Sequence, residues 1–485
     1  MKTAKKKPKK PKKKLPQKPI LKKKKAVTKK QNSQSKQVDQ IFEKWNTPDS
    51  PGFAIAVRHN GAIVYRRGFG TADLDHGIPI LPDTVFHAAS LTKQFTAMAI
   101  MLLINNPKLA NPAISLNTEV HALIPQLSGI DKNITIGQLL HHTSGVRDQW
   151  VLATMAGWRL SDDVITRKDV MDRFVALSES LNFDPGNKFS YSNTNYTIAG
   201  DIVKKVSGMK LSAFCDKYIF KPLNMSRTRI IDTHGEIVQH RAYGYRPTSA
   251  GWEVRMPNYD LTGPTNLQTT VDDLMRWDGN FDSMSVGGAA ALTAMQTPAP
   301  PAAPIYGLGL FIDEDNGRRI VEHDGRDAGY RSHLIRFPDQ KLSVALLCNI
   351  ALDDPLPSTG TLVRQVAAIY LGSGFVTMGT MPVLPPVAAA PLDPAQYVGK
   401  YYSKEIDATY TVVLKGTSLQ VTREKYPPTT LLPAGPNGFF MMKDFSIVLP
   451  QVLVQFNIAQ GAVIGFRMDD STLAGRLGNF HFKKV

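Results

Sequence analysis

Strand-like apolar patterns begin soon after residue 50. Phe53–Arg58 and Ala62–Phe69 are predicted to be two strands. Asn60-Gly61 lies between them, and this dipeptide favours the tight turn of a β-hairpin. We therefore predict that these two strands pair. A long amphipathic helix is predicted from about Ser90, and helical and loop segments alternate from there to about Trp277.

Strand-like patterns return after this helical middle. The runs are Ile305–Ile312, Arg319–Glu322, Tyr330–Phe337 and Leu342–Cys348, and a helical pattern follows at Pro357–Leu371. Strands at both ends with helices between them predict one antiparallel sheet built from both ends of the domain. The predicted fold class is α/β of the α+β type: an antiparallel sheet flanked by helices, with an inserted helical region. No βαβ repetition occurs, which disfavours a doubly wound sheet.

The last quarter of the chain has a different pattern. Residues 372–394 are rich in Gly, Pro and Ala, which predicts a linker. Short alternating runs separated by turn residues follow over residues 395–485, and they predict a separate C-terminal β-barrel. Four of these runs are Thr409–Leu414, Leu419–Thr422, Val452–Phe456 and Ala462–Met468. The region before the linker, residues 39–371, is predicted to be one domain.

The positive charge of the chain is concentrated at its N-terminal end. The formal net charge is +17, and residues 1–36 contain 17 Lys, no Arg and no acid. The remaining 41 basic residues equal the 41 acidic ones, so the body of the protein is formally neutral. Residues 1–38 are predicted to be a disordered tail. A nucleic acid or other polyanion is therefore a predicted partner only through this Lys-rich tail.

Cysteine content and apolar runs exclude several further classes. Cys215 and Cys348 are far apart, so the sequence has no disulfide framework and no Cys-x-x-Cys metal or redox spacing. No apolar run reaches about 18 residues, so we predict no membrane span. The basic N-terminus is not followed by the apolar stretch of a signal peptide, which predicts a cytoplasmic location.

Ser90-Leu91-Thr92-Lys93 is the main candidate for chemistry. The chain has no Gly-x-Ser-x-Gly elbow, no His-Glu-x-x-His and no phosphate-binding loop. Residues i and i+3 share one face of a helix, so Lys93 is expected beside the Ser90 hydroxyl. The helix N-terminus adds a positive field and free N–H groups that suit a developing oxyanion. Ser33-x-x-Lys36 and Ser207-x-x-Lys210 also occur, so the spacing alone is weak evidence.

Two later segments supply the remaining candidate groups. Tyr191 and Asn193 follow a turn, and we expect both side chains to point into one cleft. An ammonium near Tyr191 would favour its phenolate, so Tyr191 and Lys93 would titrate together. His323-Asp324-Gly325 ends a predicted strand, and a glycine there would let a substrate backbone approach.

Each of these segments also has a purely structural explanation. The segment with Tyr191 and Asn193 fits a surface turn with a helix cap, and the segment with His323 fits a strand-end turn in which the histidine is hydrogen-bonded. The order Ser-x-x-Lys, Tyr-x-Asn, His-x-Gly raises the three together above chance. The amide of Arg326 is predicted to pair with the Ser90 amide as an oxyanion hole.

Together these motifs resemble the serine β-lactamase and penicillin-binding-protein-like family, in its class C and esterase-like branch. The resemblance covers about residues 40–371, and the C-terminal barrel resembles the lipocalin-like domain of some peptidases of this family. Other segments that carry the resemblance are Phe86–Ala97, Ile136–Gly145, Phe183–Gly200, Ile219–Thr228, Leu267–Trp277 and Tyr306–Gly309.

The resemblance implies a role for each motif residue. Ser90 would be the nucleophile, with Lys93 and Tyr191 as its base system. Asn193 would orient the acyl amide, and His323 and Gly325 would line the binding strand. His142–Gly145 matches a family loop that we interpret as mainly structural. The resemblance implies no cofactor and no metal.

The third motif departs from the β-lactam-processing members, which usually have Lys where His323 stands and Gly where Glu322 stands. Acyl transfer is implied without β-lactam recognition. With an ordinary pKa of about 6.5, His323 would gain charge toward pH 6 and improve any β-lactam activity. The guanidinium of Arg326 is the alternative group for binding a carboxylate.

The combined prediction is a serine hydrolase that forms a Ser90 acyl-enzyme with a peptide, an amide or a small ester. A true β-lactamase is the first alternative. A catalytically silent binding protein that retains the hydrolase fold is the second, and the chemically intact motifs argue against it. The expected partner is a small-molecule or peptide substrate, and the sequence does not predict an oligomeric state.

Overall fold

The computed structural model describes most of the chain outside the two predicted flexible segments. The described residues are 32–127, 133–160, 162–175, 180–352, 356–372, 393–445, 449–470 and 480–485. Most of the predicted tail and linker therefore lies outside them. The described chain starts in a helix, α1, that ends at residue 42 and buries Val38 and Phe42. Residues 32–38, which the prediction places in the tail, belong to this helix.

The remaining helices lie mainly between the two groups of strands, as the pattern predicts. No helix among the described residues is long and apolar enough to cross a membrane. Two π-helical segments, Asp169–Val175 and Asp216–Phe220, accompany the α-helices. The α-helices are α2 (Thr92–Asn105), α3 (Ile136–Leu140), α4 (Gln149–Met155), α5 (Asn193–Ser207), α6 (Leu211–Cys215), α7 (Val271–Ser283), α8 (Gly288–Met295) and α9 (Thr359–Leu371).

The strands of the hydrolase domain come from both ends of the domain, with short strands between. They are β1 (Phe53–His59), β2 (Ala62–Phe69), β3 (Thr71–Asp73), β4 (Ile78–Pro79), β5 (Phe86–His87), β6 (Ile165–Thr166), β7 (Arg229–Ile230), β8 (Tyr245–Thr248), β9 (Gly251–Val254), β10 (Tyr259–Asp260), β11 (Leu267–Thr269), β12 (Phe311–Asp315), β13 (Arg318–Asp327), β14 (Tyr330–Phe337) and β15 (Leu342–Cys348).

One antiparallel sheet organises this domain. In the described residues it has six strands in the order β12-β13-β14-β15-β1-β2. The C-terminal strands thus pair with the N-terminal hairpin through β15 and β1. Asn60 and Gly61 both have positive φ, 50° and 81°, as the predicted hairpin turn requires. The α+β prediction of an antiparallel sheet flanked by helices is confirmed.

The central strands β1, β14 and β15 are buried on both faces of the sheet, which explains their nearly continuous apolar sequences. Along β1, Ala54 and Ala56 face the helical region, whereas Phe53, Ile55 and Val57 face a second apolar cluster beneath α1 and α9. Successive side chains of a strand point to opposite faces, so one strand contributes to both clusters. Small alanines on the inner face leave room for α7, which packs on β1 and β15.

One predicted strand, Ile305–Ile312, is wrong over residues 305–310. There the chain forms a loop in which Gly309 has φ 74° and passes against the backbone of Lys93. A Cβ at Gly309 would lie 2.8 Å from the Lys93 carbonyl oxygen, so a side chain would push the loop away. The loop carries Tyr306 into the site described below.

The C-terminal domain is a closed barrel, as predicted. Its strands in the described residues are β16 (Gly399–Ser403), β17 (Ala408–Lys415), β18 (Ser418–Thr422), β19 (Thr429–Gly435), β20 (Gly438–Phe445), β21 (Leu449–Ala459), β22 (Ala462–Asp470) and β23 (Phe480–Lys484). Aromatic rings fill much of its interior, with Phe466 contacting Tyr401, Phe456 and Phe482. The barrel also packs on the hydrolase domain, where Tyr410 Oη donates to the carbonyl of Met155 at 3.0 Å.

Candidate active site

Ser90 lies on a turn that leads directly into α2. Ala89–Leu91 form a 3-10 turn, and Ala89 has a φ of 47°, a conformation that non-glycine residues rarely adopt. The turn is held from both sides, because Thr92 Oγ1 donates to the Ala89 carbonyl and Ser332 Oγ donates to the Ala88 carbonyl. Ser90 itself is half-buried, so its hydroxyl remains reachable at the start of the helix.

Lys93 is one turn further along and is fully buried. Its Nζ lies 2.9 Å from Ser90 Oγ, 2.9 Å from Asn193 Oδ1 and 3.0 Å from the carbonyl oxygen of Pro264. An ammonium has three N–H donors, and these three oxygens can accept all of them. A neutral amine at the same place would instead accept the Ser90 proton. The geometry therefore suits both protonation states of Lys93.

The amide of Asn193 is oriented by a residue that the sequence analysis missed, Asp148. Asp148 Oδ2 accepts from the Asn193 backbone N–H at 2.6 Å and from Asn193 Nδ2 at 2.8 Å. Since Nδ2 donates to the carboxylate, Oδ1 must face Lys93. The other oxygen, Oδ1 of Asp148, caps α4 by accepting from the N–H groups of Trp150 and Val151. Asp148 is fully buried and so is held by four N–H donors.

Tyr191 lies on the opposite side of Lys93. The Lys93 Nζ is 4.9 Å from the centroid of the Tyr191 ring, within the range of a cation–π contact. The Tyr191 ring also packs on His142, with centroids 4.3 Å apart. His142 Nδ1 accepts the backbone N–H of Ser192, which ties the Tyr191 loop to the His142–Gly145 segment. The interpretation of that segment as mainly structural agrees with these contacts.

His323 faces the same cleft from β13 and is buried. Its Nδ1 lies 2.6 Å from the carbonyl oxygen of Asp324, so Nδ1 must be the donor, while Nε2 accepts from Tyr306 Oη at 3.1 Å. Burial lowers the pKa of His323 to about 4. The positive charge of Lys93 also lowers this pKa, whereas the negative charge of Asp324 raises it. The expectation that His323 gains charge near pH 6 is therefore wrong, because the sequence could not reveal its desolvation.

Gly325 is required by a close approach between β13 and the Ser90 turn. A Cβ there would lie 2.2 Å from Ser332 Oγ and 2.5 Å from the Ala88 carbonyl oxygen. Arg326 is exposed, and the alternation of β13 directs its side chain to the face opposite His323 and Gly325. Its guanidinium is thus on the wrong side for a ligand beside Ser90. Its backbone amide remains the predicted oxyanion donor.

The edge of β13 beside Ser90 is open in the described sheet. β12 pairs with β13 from Arg318 to Glu322 and no further, whereas β14 pairs with it as far as Asp327. Residues 323–327 therefore present a strand edge to the cleft, and an extended substrate segment can add to such an edge.

Comparison with known proteins decides the family. The family described as Beta-lactamase matches residues 38–368, which is more than half of the chain. The chain belongs to the Beta-lactamase family. The family resemblance of the three motifs and the fold predicted for them are thereby confirmed.

The curated relatives of this Beta-lactamase domain include D-aminopeptidases. The D-aminopeptidase of Gluconobacter oxydans is 29% identical over 304 residues, which are 62% of this chain and 56% of the relative. The chain thus spans little more than half the length of that relative.

Two solved structures share the fold. The octameric penicillin-binding protein homologue from Pyrococcus abyssi has 20% identity and a TM-score of 0.58, covering 96% of this chain and 100% of its own. The D-amino acid amidase from Ochrobactrum anthropi has 20% identity and a TM-score of 0.57, covering 70% and 99%.

Beyond the motif residues, the Beta-lactamase site uses three groups that sequence reasoning missed. Asp148 orients Asn193, the Pro264 carbonyl accepts from Lys93, and Tyr306 donates to His323. An Asp before an apolar helical run is an N-cap signal, so the cap role of Asp148 was visible in the sequence. Its contact with Asn193 was not. In the described residues, no group of three or more His, Cys, Asp or Glu could hold a metal ion.

Proposed function

We propose that this protein is a serine hydrolase in which Ser90 attacks the carbonyl of a peptide, amide or small ester and forms an acyl-enzyme. The observation that carries this proposal is the buried Lys93 Nζ, 2.9 Å from Ser90 Oγ and 2.9 Å from Asn193 Oδ1. A nucleophile and a base within hydrogen-bond reach, with the base held by a third group, are the parts that covalent catalysis by serine requires.

The proposed reaction has two halves. In the first, Ser90 Oγ bonds to the carbonyl carbon while its proton passes to the Lys93 and Tyr191 unit. The N–H groups of Ser90 and Arg326 receive the oxyanion. The bond to the leaving amine or alcohol then breaks, and the leaving group takes that proton. In the second half, water attacks the ester, the same unit accepts its proton and returns it to Ser90, and the acid is released.

The surroundings of His323 argue against acyl groups that carry a carboxylate. A carboxylate beside the acyl site needs a cation, and a histidine with a pKa of about 4 supplies none at neutral pH. The D-aminopeptidase and D-amino acid amidase relatives suggest the substrate class. We therefore propose D-aminoacyl amides and short peptides with an N-terminal D-residue as substrates, ahead of penicillins and cephalosporins.

The test is covalent labelling followed by a substrate panel. A fluorescent phosphonate is expected to modify the peptide that contains Ser90. D-alanine p-nitroanilide, its L-isomer, a p-nitrophenyl ester and nitrocefin are then compared. Ser90→Ala is expected to lose the label and at least about a thousandfold in kcat/KM.

Ser207→Ala is the matched control, since Ser207-x-x-Lys210 has the same spacing at the far end of α5, where Ser207 Oγ donates to the Val203 carbonyl. Equal turnover by the Ser90→Ala variant and the wild type would rule out the acyl-enzyme. Faster hydrolysis of nitrocefin than of every amide and ester would favour the β-lactamase alternative.

A further inference from the structure

The hydrolase domain contains a buried guanidinium whose charge is balanced by the barrel. Arg147 is 2% exposed, and its Nε lies 2.7 Å from Glu405 Oε1 in the turn between β16 and β17. The ring of Phe480 on β23 packs against the guanidinium at 4.9 Å. Burial lowers the pKa of Arg147, and the two acidic charges that oppose this, Glu405 and Asp469, both come from the barrel.

Within the hydrolase domain, Arg147 joins two segments that border the candidate site. Its Nη2 donates to Ser180 Oγ at 2.9 Å and its Nη1 donates to Asn182 Oδ1 at 3.2 Å. Asn182 in turn donates its backbone N–H to the Gly145 carbonyl at 2.8 Å. Arg147 therefore holds the start of the segment that leads to Tyr191 against the segment that carries Asp148.

The backbone around Arg147 is bonded to the first turn of α5. Thr194 Oγ1 donates to the Arg147 carbonyl at 2.7 Å and accepts the N–H of Gln149 at 2.8 Å. Asp148, between them, accepts from both N–H groups of Asn193. A shift of residues 147–149 would thus move the amide whose oxygen faces Lys93. The path from the barrel to Lys93 consists of direct contacts among buried groups.

Other contacts between the domains avoid this path. Tyr426 Oη donates to the Trp158 carbonyl at 2.7 Å, and the exposed Lys425 Nζ lies 3.5 Å from Asp163 Oδ2. These contacts attach the barrel beyond the end of α4 and touch neither Arg147 nor its partners. Among the described residues, the contact of Arg147 with Glu405 therefore leads to the site, and the contacts of Tyr426 and Lys425 serve as matched controls.

We propose that Glu405 of the C-terminal barrel is a positioning residue for acyl transfer. Through Arg147 it holds residues 147–149 so that Asp148 keeps Asn193 aligned with Lys93. This inference rests on the proposed function of Ser90 and Lys93, and it makes the barrel a structural part of the hydrolytic site rather than an independent appendage.

The test uses the full chain with Glu405→Gln, which removes the charge and keeps the shape. The rate constant of phosphonate labelling and the kcat for an aminoacyl amide are expected to fall about tenfold, because the buried Arg147 guanidinium loses the charge that faces it, with KM changed less than about threefold. Labelling is expected to reach full stoichiometry. Lys425→Met and Tyr426→Phe are expected to stay within about twofold of the wild type, and Glu405→Asp is expected to recover part of the rate.

A second measurement separates this inference from the proposed function. Hydrogen exchange of a peptide covering residues 145–152 is expected to speed up in Glu405→Gln and not in Lys425→Met, whether or not the protein turns over. Absence of labelling in the wild type would contradict the proposed function and leave the exchange test valid.

Unchanged labelling and exchange in Glu405→Gln would overturn the positioning role. So would equal losses in the two control variants, or a lowered labelled fraction at an unchanged rate. If Glu405→Gln does not fold, Asp469→Asn replaces it, with a smaller loss expected and the same two outcomes that would contradict the proposal.

Discussion

Two buried cations on opposite faces of the central sheet have very different surroundings. On the inner face, Lys93 Nζ contacts a hydroxyl, an amide oxygen and a carbonyl oxygen, all of them neutral. On the outer face, Arg364 of α9 binds both carboxylate oxygens of Glu322, at 2.6 and 3.1 Å, and lies 3.6 Å from Asp315.

The difference shows which cation can change its protonation state. Burial alone would raise the pKa of Glu322, but the hydrogen bonds and charges of His333 and Arg364 outweigh it and lower the pKa to about 2. Both members of that pair stay charged, as a structural ion pair requires. Neutral oxygens can accept from an ammonium and can also coexist with an amine, so the surroundings of Lys93 allow proton transfer. Adjacent residues of β13, Glu322 and His323, face these two regions.

The largest expected effect concerns the base unit. Lys93→Met, Tyr191→Phe and the double variant are each expected to lose at least about a thousandfold in kcat, because residues that act as one unit are not additive. Steady-state kinetics on a p-nitrophenyl ester measure this. Losses that multiply in the double variant would mean that the two residues act independently.

Arg364→Met is the corresponding change on the outer face. It leaves the Glu322 carboxylate buried without its guanidinium, and we expect the free energy of unfolding to fall by about 3–5 kcal/mol. Urea denaturation measures the loss, while kcat of the folded fraction stays near that of the wild type. The control is Arg246→Met, which breaks the exposed pair with Glu253 and is expected to cost less than about 1 kcal/mol. A large loss of kcat with unchanged stability in Arg364→Met would contradict the assignment of Arg364 to a structural ion pair.

Asp148→Asn is expected to have an intermediate effect. It weakens the two bonds that orient Asn193, so kcat is expected to fall about 10–100-fold, equivalent to one or two charged hydrogen bonds. Thr270→Ala controls for helix capping, because the Thr270 side chain caps α7 by accepting from the N–H of Asp273. If both variants lose activity equally, the effect of Asp148 is one of stability and not of orientation.

Acid titration is a second test of the ion pair between Glu322 and Arg364. The pKa of Glu322 is about 2 in the folded protein and ordinarily 4.5, so its stabilising effect is complete above about pH 4.5 and is lost as the pH falls toward 2. Unfolding midpoints between pH 6 and 3 are expected to decline less steeply in Glu322→Gln, which already lacks the ionised group. Parallel declines in the two proteins would show that other carboxylates dominate.

The last prediction is that the preference between nitrocefin and a neutral ester does not change between pH 7.5 and 6. The pKa of His323 is about 4, so it stays neutral between pH 7.5 and 6. The ratio of nitrocefin turnover to neutral-ester turnover is expected to remain constant over that range. A ratio that rises toward pH 6 in the wild type, and not in His323→Asn, would show that the imidazole gains charge there.

The strands β14 and β15 coincide with their predicted bounds, and β1 and α2 lie within two residues of theirs. These elements carry strong periodic patterns, which depend on neighbours in the chain. The loop at residues 305–310 has an equally apolar pattern, yet it bends to pass over Lys93. Packing against the backbone of Lys93 decided the conformation of this loop, and the local sequence pattern does not predict that contact.

The sequence by itself determined the proximity of Ser90 and Lys93 and the architecture around them. The spacing of Ser90 and Lys93 places them one turn apart on a helix wherever that helix lies, and strand patterns at both ends of the domain specify one sheet built from both ends. Such relations depend on a few consecutive residues, so they can be predicted from the sequence alone.

Only the tertiary structure decided the orientation of Asn193, the protonation of His323 and the link from the barrel to the site. Asp148 and Asn193 are 45 residues apart, and Lys93 and Pro264 are 171 apart. The pKa of His323 depends on burial by loops that its own strand does not contain. Contacts across such distances, and the desolvation they produce, exist only once the chain has folded.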